Sequence, residues 1–297
     1  MTSVAIVGSG AIGGTIATWL AQDRRVEMTV AARTTFDRLE VDTPDGMIGA
    51  TPLVLTDPAA GTPMNWVLVA TKAYDSNSAA RWFDTLCGPM TRLAVLQNGV
   101  EHVERFSPPF PADRLVPVMI DCPAERIGPG RIHQRGPVHM VVPAGGPGEA
   151  FRDLFSATPL DIQLTDDFRT AVWKKLCLNS AGAVSVVLLK PAGIVHHEGV
   201  AALMREIVRE CVAVGRAEGA RLDDSIVDSV IERSRKSPRD SVNSMHADRL
   251  AGRPMEIDAR NGVIVRLGRK HGIATPMNAL MVALLEAAHD QSYESGR

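Results

Sequence analysis

The sequence predicts an α/β protein whose first part is a mainly parallel sheet covered by helices and whose second part is all helical. Two observations support this prediction. Short apolar, β-rich runs alternate with helical patterns over the first hundred or so residues, and helical spacing of apolar residues dominates beyond position 165. Continuous apolar strands separated by helices are typical of a parallel sheet that is buried on both faces.

Length and composition limit the class of protein. The 297 residues exceed what one hydrophobic core usually organises, so we expect two domains, 1–165 and 166–297. The chain has 45% hydrophobic residues, 22% charged residues and a formal net charge of -2, which is the composition of an ordinary soluble protein. We therefore expect a small-molecule partner, with no nucleic acid and no membrane.

Four apolar runs predict the strands of the first domain. They are VAIVG (4–8), EMTVAA (27–32), NWVLVAT (65–71) and LAVLQN (93–98). The segment 114–142 has strand-like pieces broken by Pro and Gly, which predict hairpin strands that complete the sheet. The run PAGGPG (143–148) then interrupts the chain before the helical part begins.

The second domain contains apolar residues at helical spacing and residues typical of helix ends. Apolar residues at helical spacing over 200–214 predict a helix that Gly219 can close a turn later. Thr275 supplies an N-cap and Pro276 the first helical position, which predicts a last helix through about residue 288. The apolar helices are compatible with a homodimer, although helices packed into a single core give the same pattern.

The cysteines and the amino terminus bear on the cellular compartment. Four cysteines stand far apart without a CxxC pair, which is typical of reduced thiols and of neither a disulfide framework nor a zinc site. The first strand follows Met1 too closely for a signal peptide, and no run of about 18 apolar residues is present. We therefore expect a cytoplasmic protein without a metal site.

A glycine-rich loop follows the first strand. GSGAIG (8–13) lies directly between the strand VAIV and the helical run TIATWLA. In this context Gly8 allows the tight turn, Gly10 lets the backbone approach a pyrophosphate, and Gly13 lets helix and strand pack closely. Free N–H groups at the helix start face the phosphates, so the loop predicts a Rossmann-type domain. The predicted cofactor-binding positions of the loop are Gly8, Ser9, Gly10, Ala11, Ile12 and Gly13.

Three other strand ends carry polar residues. Arg33 follows the second strand, where an NAD-binding chain presents Asp or Glu to the ribose hydroxyls. Because a guanidinium can hold a 2′-phosphate, Arg33 favours NADP (NADPH) over NAD, and a surface arginine without a ligand is the alternative. Lys72 and Asn98 follow the next two strands. Ligands of open α/β sheets bind at the carboxyl ends of strands, so both would face the cofactor.

Two adjacent lysines occur in AVWKKLCLNSAGA (171–183). At about 100° per residue, Lys175 shares a small, apolar helix face with Asn179, whereas Lys174 lies on a face that looks solvated. An ammonium group among small apolar residues loses hydration, which favours release of its proton. Lys175 is therefore a candidate general acid.

Polar residues are also concentrated in 239–262. From the sequence pattern alone they are either solvated helix and loop positions or parts of a site. They are Ser244, Asp248, Glu256, Asp258 and Asn261.

Five ordered motifs together resemble the ketopantoate reductase (2-dehydropantoate 2-reductase) family. They are GSGAIGG (8–14), ATKAYD (70–75), LQNG (96–99), WKKLCLN (173–179) and SMHADRLAGRPMEID (244–258). The resemblance covers nearly the whole chain. It implies a Rossmann domain, an all-helical domain and a cleft between them where NADPH reduces a 2-oxo acid to a 2-hydroxy acid.

The resemblance also implies roles for particular residues. The family's general acid corresponds to Lys175, and the asparagine that helps to bind substrate corresponds to Asn179. Ser244 matches a substrate contact, and Glu256 matches a glutamate close to the catalytic lysine and the nicotinamide ribose. The family positions that line the cofactor and the reacting centre are matched by Lys72 and Asn98.

Two positions depart from the family pattern. Members that act on ketopantoate usually carry a second asparagine one turn after the first and another in a Pro-Asn-Gly segment, where this chain has Ala183 and Gly193. Because such amides discriminate in favour of a hydroxylated substrate, the preferred 2-oxo acid is expected to be less polar than ketopantoate. The alternatives are a reductase of another carbonyl or imine compound and a non-catalytic dinucleotide sensor. Lys175 and Glu256, which a sensor would not need, count against the sensor.

Overall fold

The structure, a computed structural model, describes residues 1–107 and 110–290. The chain divides into two compact units, Met1–Phe168 and Arg169–Arg297. Within the described residues, all strands belong to the first unit, and the second is built of helices. The predicted fold class, a parallel-sheet domain followed by a helical one, is therefore confirmed.

The first unit contains thirteen strands and four α-helices among the described residues. The strands are β1 Thr2–Val7, β2 Val26–Ala31, β3 Leu39–Thr43, β4 Gly46–Ala50, β5 Leu53–Leu55, β6 Met64–Val69, β7 Cys87–Val95, β8 Leu115–Pro117, β9 Met119–Asp121, β10 Ala124–Gly128, β11 Arg131–Gln134, β12 His139–Pro143 and β13 Asp161–Thr165. The helices are α1 Ala11–Leu20, α2 Ser76–Ala80, α3 Phe83–Leu86 and α4 Gly146–Leu154.

A six-stranded parallel sheet forms the centre of this unit. Its strand order is β5-β2-β1-β6-β7-β8, and β1 pairs with both β2 and β6. Val4 and Ile6 of β1 enter one hydrophobic core, whereas Ala5 and Val7 enter a second core on the other face. Because successive side chains of a strand point to opposite faces, a strand buried on both sides needs the continuous apolar run seen here.

The prediction that 114–142 completes this sheet is wrong for all its strands except β8. The antiparallel hairpin of β10 and β11 joins β3 and β4 in the order β10-β11-β3-β4, and β9 belongs to a third sheet, β13-β12-β9. The strand β3 alternates buried and partly exposed residues, which is typical of a strand with one wet face. Such strands suit a separate layer better than a sheet that is buried on both sides.

The second unit consists of seven α-helices in its described part. They are α5 Phe168–Ala181, whose first residue belongs to the first unit, α6 Ala183–Leu188, α7 Glu198–Ala217, α8 Ser225–Lys236, α9 Ser244–Leu250, α10 Val263–His271 and α11 Pro276–His289. A π-helical turn, Asp258–Gly262, directly precedes α10. As predicted, α7 ends just before Gly219, whose φ of 86° places it in the left-handed region.

One helical stretch has the length and composition of a membrane span. This stretch, Phe168–Leu188, has 21 residues, and half of its most apolar window is buried inside the protein. It contains Lys174 and Lys175, and its buried residues include Trp173 and Leu176. Core helices of soluble proteins meet the same criteria, so the stretch is weak evidence for a membrane segment.

The start of α11 is capped by a residue far away in the sequence. Thr275, the predicted N-cap, makes no side-chain capping bond. Instead the carboxylate of Glu210 in α7 accepts the N–H groups of Met277 and Asn278 over 2.8 and 2.9 Å. A carboxylate at a helix N-terminus satisfies free N–H groups and interacts favourably with the helix dipole.

Glu210→Gln is expected to destabilise the protein by about 1 kcal/mol, because an amide lacks the negative charge that the helix start attracts. In a chain of this size the unfolding midpoint should fall by about 2 to 4 °C. Differential scanning calorimetry checks the shift. Glu206→Gln, on an exposed turn of the same helix, is the control, and equal midpoints for both variants would contradict the assignment.

Candidate functional site

The glycine loop has the shape that a close approach of phosphate requires. Gly8 has a φ of 107°, and α1 starts directly after Gly10. A Cβ atom at Gly13 would lie 1.9 Å from the carbonyl oxygen of Gly8, so the loop closes tightly on the helix. A Cβ atom at Gly10 would meet no atom of the described residues within 4 Å. The backbone at Gly10 therefore borders open space at the N-terminus of α1, where an anion is favoured.

Sheet order brings the predicted cofactor residues to one edge. The strands β2, β1, β6 and β7 are neighbours in the sheet. Arg33 follows β2, the glycine loop follows β1, Lys72 follows β6, and Asn98 follows β7. The carboxyl ends of neighbouring parallel strands lie side by side, so these four segments line one continuous rim. The strand order also reverses at β1, and such reversal points bind ligands in open α/β sheets.

Arg33 extends from this rim into solvent. Its side chain is 92% exposed and lies 4.0 Å from a carboxylate oxygen of Asp75. An exposed pair at that distance contributes little stability. The guanidinium group of Arg33 is therefore accessible to a ligand.

Gln97, which the sequence pattern did not single out, connects two of the strand ends. Its side-chain amide donates to Thr71 Oγ1 over 2.9 Å and to the carbonyl oxygen of Lys72 over 3.3 Å. Its oxygen accepts from Ser76 Oγ and from Arg105. Gln97 is buried, so it ties the segment after β6 to the segment after β7. Its place in LQNG (96–99), directly before Asn98, was the signal available in the sequence.

The two lysines of α5 lie in different environments. Lys174 is exposed, whereas Lys175 and Asn179 are partly buried, and Ser180 is fully buried. The contrast between the lysines follows the helical geometry, because neighbouring residues differ by about 100° in direction. Lys175 and Asn179, one turn apart, therefore share the less exposed side of the helix.

Hydrogen bonds connect α5 to the other segments that carry predicted residues. Asn261 of the π-helical turn donates to the carbonyl oxygen of Ser180 over 3.2 Å, and Asn243 donates to that of Gly182 over 3.1 Å. Asn243 also caps the start of α9, the helix that begins with Ser244. The end of the helix that carries Lys175 is therefore bonded to the π-helical turn, and the residue after that helix is bonded to the N-cap of α9, where Ser244 lies.

The segment 239–262 contains both exposed polar residues and buried polar residues, which are the two alternatives that its sequence pattern left open. Asp258 and Ser244 are exposed, the latter at the first position of α9. Asp248 and Glu256 are only 5% and 4% exposed, and Asn261 is fully buried. Buried carboxylates need compensating charge or hydrogen bonds, so this segment is more than a solvated surface.

A buried arginine that sequence reasoning missed lies among them. Arg260 donates from Nη2 to Ser244 Oγ over 2.7 Å. Burial lowers the pKa of Arg260, and the nearby carboxylates of Glu256 and Asp248 act in the opposite direction. The π-helical turn adds a residue to the helical repeat, so regular spacing could not assign Arg260 to an inner face.

Histidine, cysteine and carboxylate side chains do not assemble into a metal centre in the ranges 1–107 and 110–290. No group of three or more of them is arranged to hold an ion there. His197 instead accepts the N–H of Val200 at the start of α7.

Comparison with known proteins assigns the chain to a family. A family model described as "Ketopantoate reductase PanE/ApbA" matches residues 4–146, and a second, "Ketopantoate reductase PanE/ApbA C terminal", matches 167–289. The chain belongs to the ketopantoate reductase family. The family predicted from the five sequence motifs is thus confirmed.

The chain is similar to individual known proteins over nearly its full length. The 2-dehydropantoate 2-reductase of Caulobacter vibrioides (strain ATCC 19089 / CIP 103742 / CB 15) is 57% identical over 288 residues, which cover 97% of this chain and 99% of the relative. A solved PanE/ApbA family ketopantoate reductase from Ralstonia eutropha JMP134 has a TM-score of 0.90 and 30% identity, with 97% and 99% covered. D-mandelate dehydrogenase, solved with NADH and anilino(oxo)acetate, shares the fold at a TM-score of 0.89 and 22% identity. The match covers 97% of this chain and 99% of that structure.

Proposed function

We propose that this member of the ketopantoate reductase family reduces 2-dehydropantoate to pantoate with NADPH, and that Lys175 is the general acid. The observation that carries the proposal is the partly buried Lys175 in WKKLCLN, in a chain whose sheet also has an open glycine loop. The 57% identical relative named 2-dehydropantoate 2-reductase supports the substrate class. The proposal assigns the nucleotide to domain 1–165 and the substrate to domain 166–297.

The residues at the sheet rim fit a dinucleotide. The space at Gly10 leaves room for a pyrophosphate, and the N–H groups that open α1 can bind its oxygens. Lys72 and Asn98 would line the nicotinamide half, with Asn98 also near the substrate. When bound, NADPH supplies the hydride that adds to the C2 carbonyl carbon of the substrate. The NADH bound to D-mandelate dehydrogenase, a protein of the same fold, supports a nicotinamide cofactor.

The helical domain supplies the groups that act on the substrate. Lys175 donates a proton to the C2 oxygen and stabilises the negative charge that develops there. Glu256 is buried and is proposed to hold the ammonium group in place and to offset part of its desolvation. Asn179 and Ser244 position the substrate by hydrogen bonds. The reaction therefore needs both domains.

The preference for NADPH is assigned to Arg33. In Arg33→Asp, the carboxylate repels the 2′-phosphate and accepts the ribose 2′-hydroxyl instead. The ratio of kcat/KM for NADPH to that for NADH is expected to fall by about 10- to 100-fold, as for loss of a charge-assisted hydrogen bond. Steady-state kinetics with both cofactors measure this ratio. Arg25→Asp, at the opposite end of β2, should leave the ratio unchanged, and an unchanged ratio in Arg33→Asp would contradict the assignment.

A second candidate substrate class follows from the two departures from the family pattern. Ala183 is fully buried. A Cβ atom at Gly193 would lie 3.0 Å from the carbonyl oxygen of Arg239, which already accepts the Gly193 N–H over 2.8 Å. A side chain at this position would require the Arg239 backbone to shift by a few tenths of an ångström. These positions favour a 2-oxo acid with fewer hydroxyl groups than ketopantoate.

A substrate panel tests the proposal. NADPH oxidation is followed with 2-dehydropantoate, with branched 2-oxo acids without the hydroxyl group, and with glyoxylate as a small control. The highest kcat/KM for 2-dehydropantoate supports the first candidate, and the highest value for a branched 2-oxo acid supports the second. Absence of turnover with NADPH bound would favour the dinucleotide sensor.

The proposal places the reaction in cytoplasmic pantothenate biosynthesis. The exposed side chains of Leu280 and Leu284 on α11 are compatible with a homodimer. Light scattering of the purified protein distinguishes a dimer from a monomer.

A further inference from the structure

Arg260 has no role in the reaction proposed above, yet it lies directly beside a residue that does. It belongs to the π-helical turn Asp258–Gly262, and only 3% of its surface is exposed. A buried guanidinium is costly unless charges or hydrogen bonds compensate for its lost hydration. Buried carboxylates of Glu256 and Asp248 supply charge, and Ser244 accepts a hydrogen bond.

The hydrogen bond to Arg260 determines what the Ser244 hydroxyl can do. A serine hydroxyl has one proton to donate and two lone pairs with which to accept. A guanidinium group only donates, so Ser244 Oγ must be the acceptor in this 2.7 Å bond. The hydroxyl proton is thus left for another acceptor. Ser244 is an exposed residue at the first position of α9, so a ligand can be that acceptor.

The arrangement also strengthens the hydroxyl as a donor. A charged donor polarises the group that accepts from it, and that group then donates a stronger hydrogen bond in turn. Arg260 Nε has no acceptor in the part of the chain that the structure describes. The bond to Ser244, together with the attraction of the Glu256 and Asp248 carboxylates, orients this side chain.

We infer that Arg260 is a positioning residue that holds Ser244 as a hydrogen-bond donor for the carboxylate of the 2-oxo acid. The inference rests on the proposed function, in which Ser244 contacts substrate. It adds a residue from the π-helical turn that acts through Ser244 and does not touch the substrate. Such turns within helices are frequent at functional sites, because the extra residue turns a side chain toward a new direction.

Kinetics of Ser244→Ala, Arg260→Lys and the double variant test the inference. Arg260→Lys keeps a positive charge beside the buried carboxylates but lacks the planar guanidinium that reaches Ser244. Each single variant is expected to raise the KM for 2-dehydropantoate roughly tenfold, with kcat and the Kd for NADPH near the wild-type values. Because both residues act through one hydrogen bond, the double variant should raise KM no further than Ser244→Ala does.

Arg253→Lys is the matched control. Arg253 pairs over 2.9 Å with Asp248, one of the carboxylates near Arg260, but its side chain is exposed. The KM of Arg253→Lys should therefore equal that of the wild-type protein. Thermal unfolding identifies a variant that does not fold, and Arg260→Gln, whose shorter side chain does not reach Ser244, then replaces Arg260→Lys with the same expectation.

The outcomes separate this inference from the proposed function. An unchanged KM in a folded Arg260 variant, or effects that multiply in the double variant, would overturn the inference alone. A fall in kcat without a change in KM would do the same, because it would assign Arg260 to the chemical step. Wild-type protein that reduces no 2-oxo acid would overturn the proposed function and the inference with it.

Discussion

Lys175→Ala is expected to lower kcat for the reduction of the preferred 2-oxo acid by about 10²- to 10⁴-fold, which is the usual contribution of a general acid. The reason is the loss of both the proton donor and the positive charge beside the developing alkoxide. Stopped assays with saturating NADPH measure the residual rate. The Kd for NADPH, titrated by fluorescence, should not change, because Lys175 is not among the proposed nucleotide-binding residues.

The neighbouring lysine provides the control for this prediction. Lys174 is exposed on the same helix, so Lys174→Ala removes an equal charge without altering the less exposed side. Its kcat should equal that of wild type. An equal loss of kcat in the two variants would show that the helix tolerates neither substitution. A wild-type kcat in Lys175→Ala would exclude Lys175 as the general acid.

Gly13→Ala is expected to disrupt the nucleotide-binding loop. Its new Cβ atom would lie 1.9 Å from the Gly8 carbonyl oxygen and 3.1 Å from the Cβ of Ala70, so the backbone must move. Overpacking of this kind destabilises by about 1 to 3 kcal/mol. We expect a lower unfolding midpoint and no measurable binding of NADPH, as followed by calorimetry and fluorescence titration.

Gly10→Ala separates binding from folding at the same loop. A Cβ atom at Gly10 has no atom of residues 1–107 or 110–290 within 4 Å, so the variant should unfold at the wild-type temperature. The added methyl group would occupy the space proposed for the pyrophosphate, so the Kd for NADPH should rise by about tenfold or more, which corresponds to about 1.4 kcal/mol. Wild-type affinity in Gly10→Ala would mean that the cofactor does not approach this loop.

Local patterns predicted the parts of the fold that local residues determine. The glycine loop between β1 and α1, the strands β2 and β6, and the end of α7 before Gly219 all follow from short stretches of sequence. The polar residues Arg33, Lys72 and Asn98 were found because each directly follows an apolar run. Sheet order then showed that their strands are neighbours, which no short stretch could reveal.

Features that depend on distant partners were missed or wrong. The hairpin of β10 and β11 pairs with β3, some ninety residues earlier in the chain. The alternation of buried residues in β3 indicates a strand with one wet face but does not indicate which strand it pairs with. Thr275 is the N-cap residue of α11 as predicted, but its side chain makes no capping bond, and Glu210 of α7 accepts the N–H of Met277 across 67 residues of sequence. Arg260 was missed because a π-helical turn breaks the regular helical repeat on which the assignment of faces depends.

Transfer of a labelled hydride tests the central claim most directly. The protein is incubated with 2-dehydropantoate and NADPH carrying deuterium at the transferred position of C4, and the product is analysed by mass spectrometry and NMR. We expect pantoate with one deuterium atom at C2, formed in equal amount to NADP, and none above background with Lys175→Ala over the same time. Pantoate without deuterium at C2, or no pantoate from the wild-type protein, would contradict the claim.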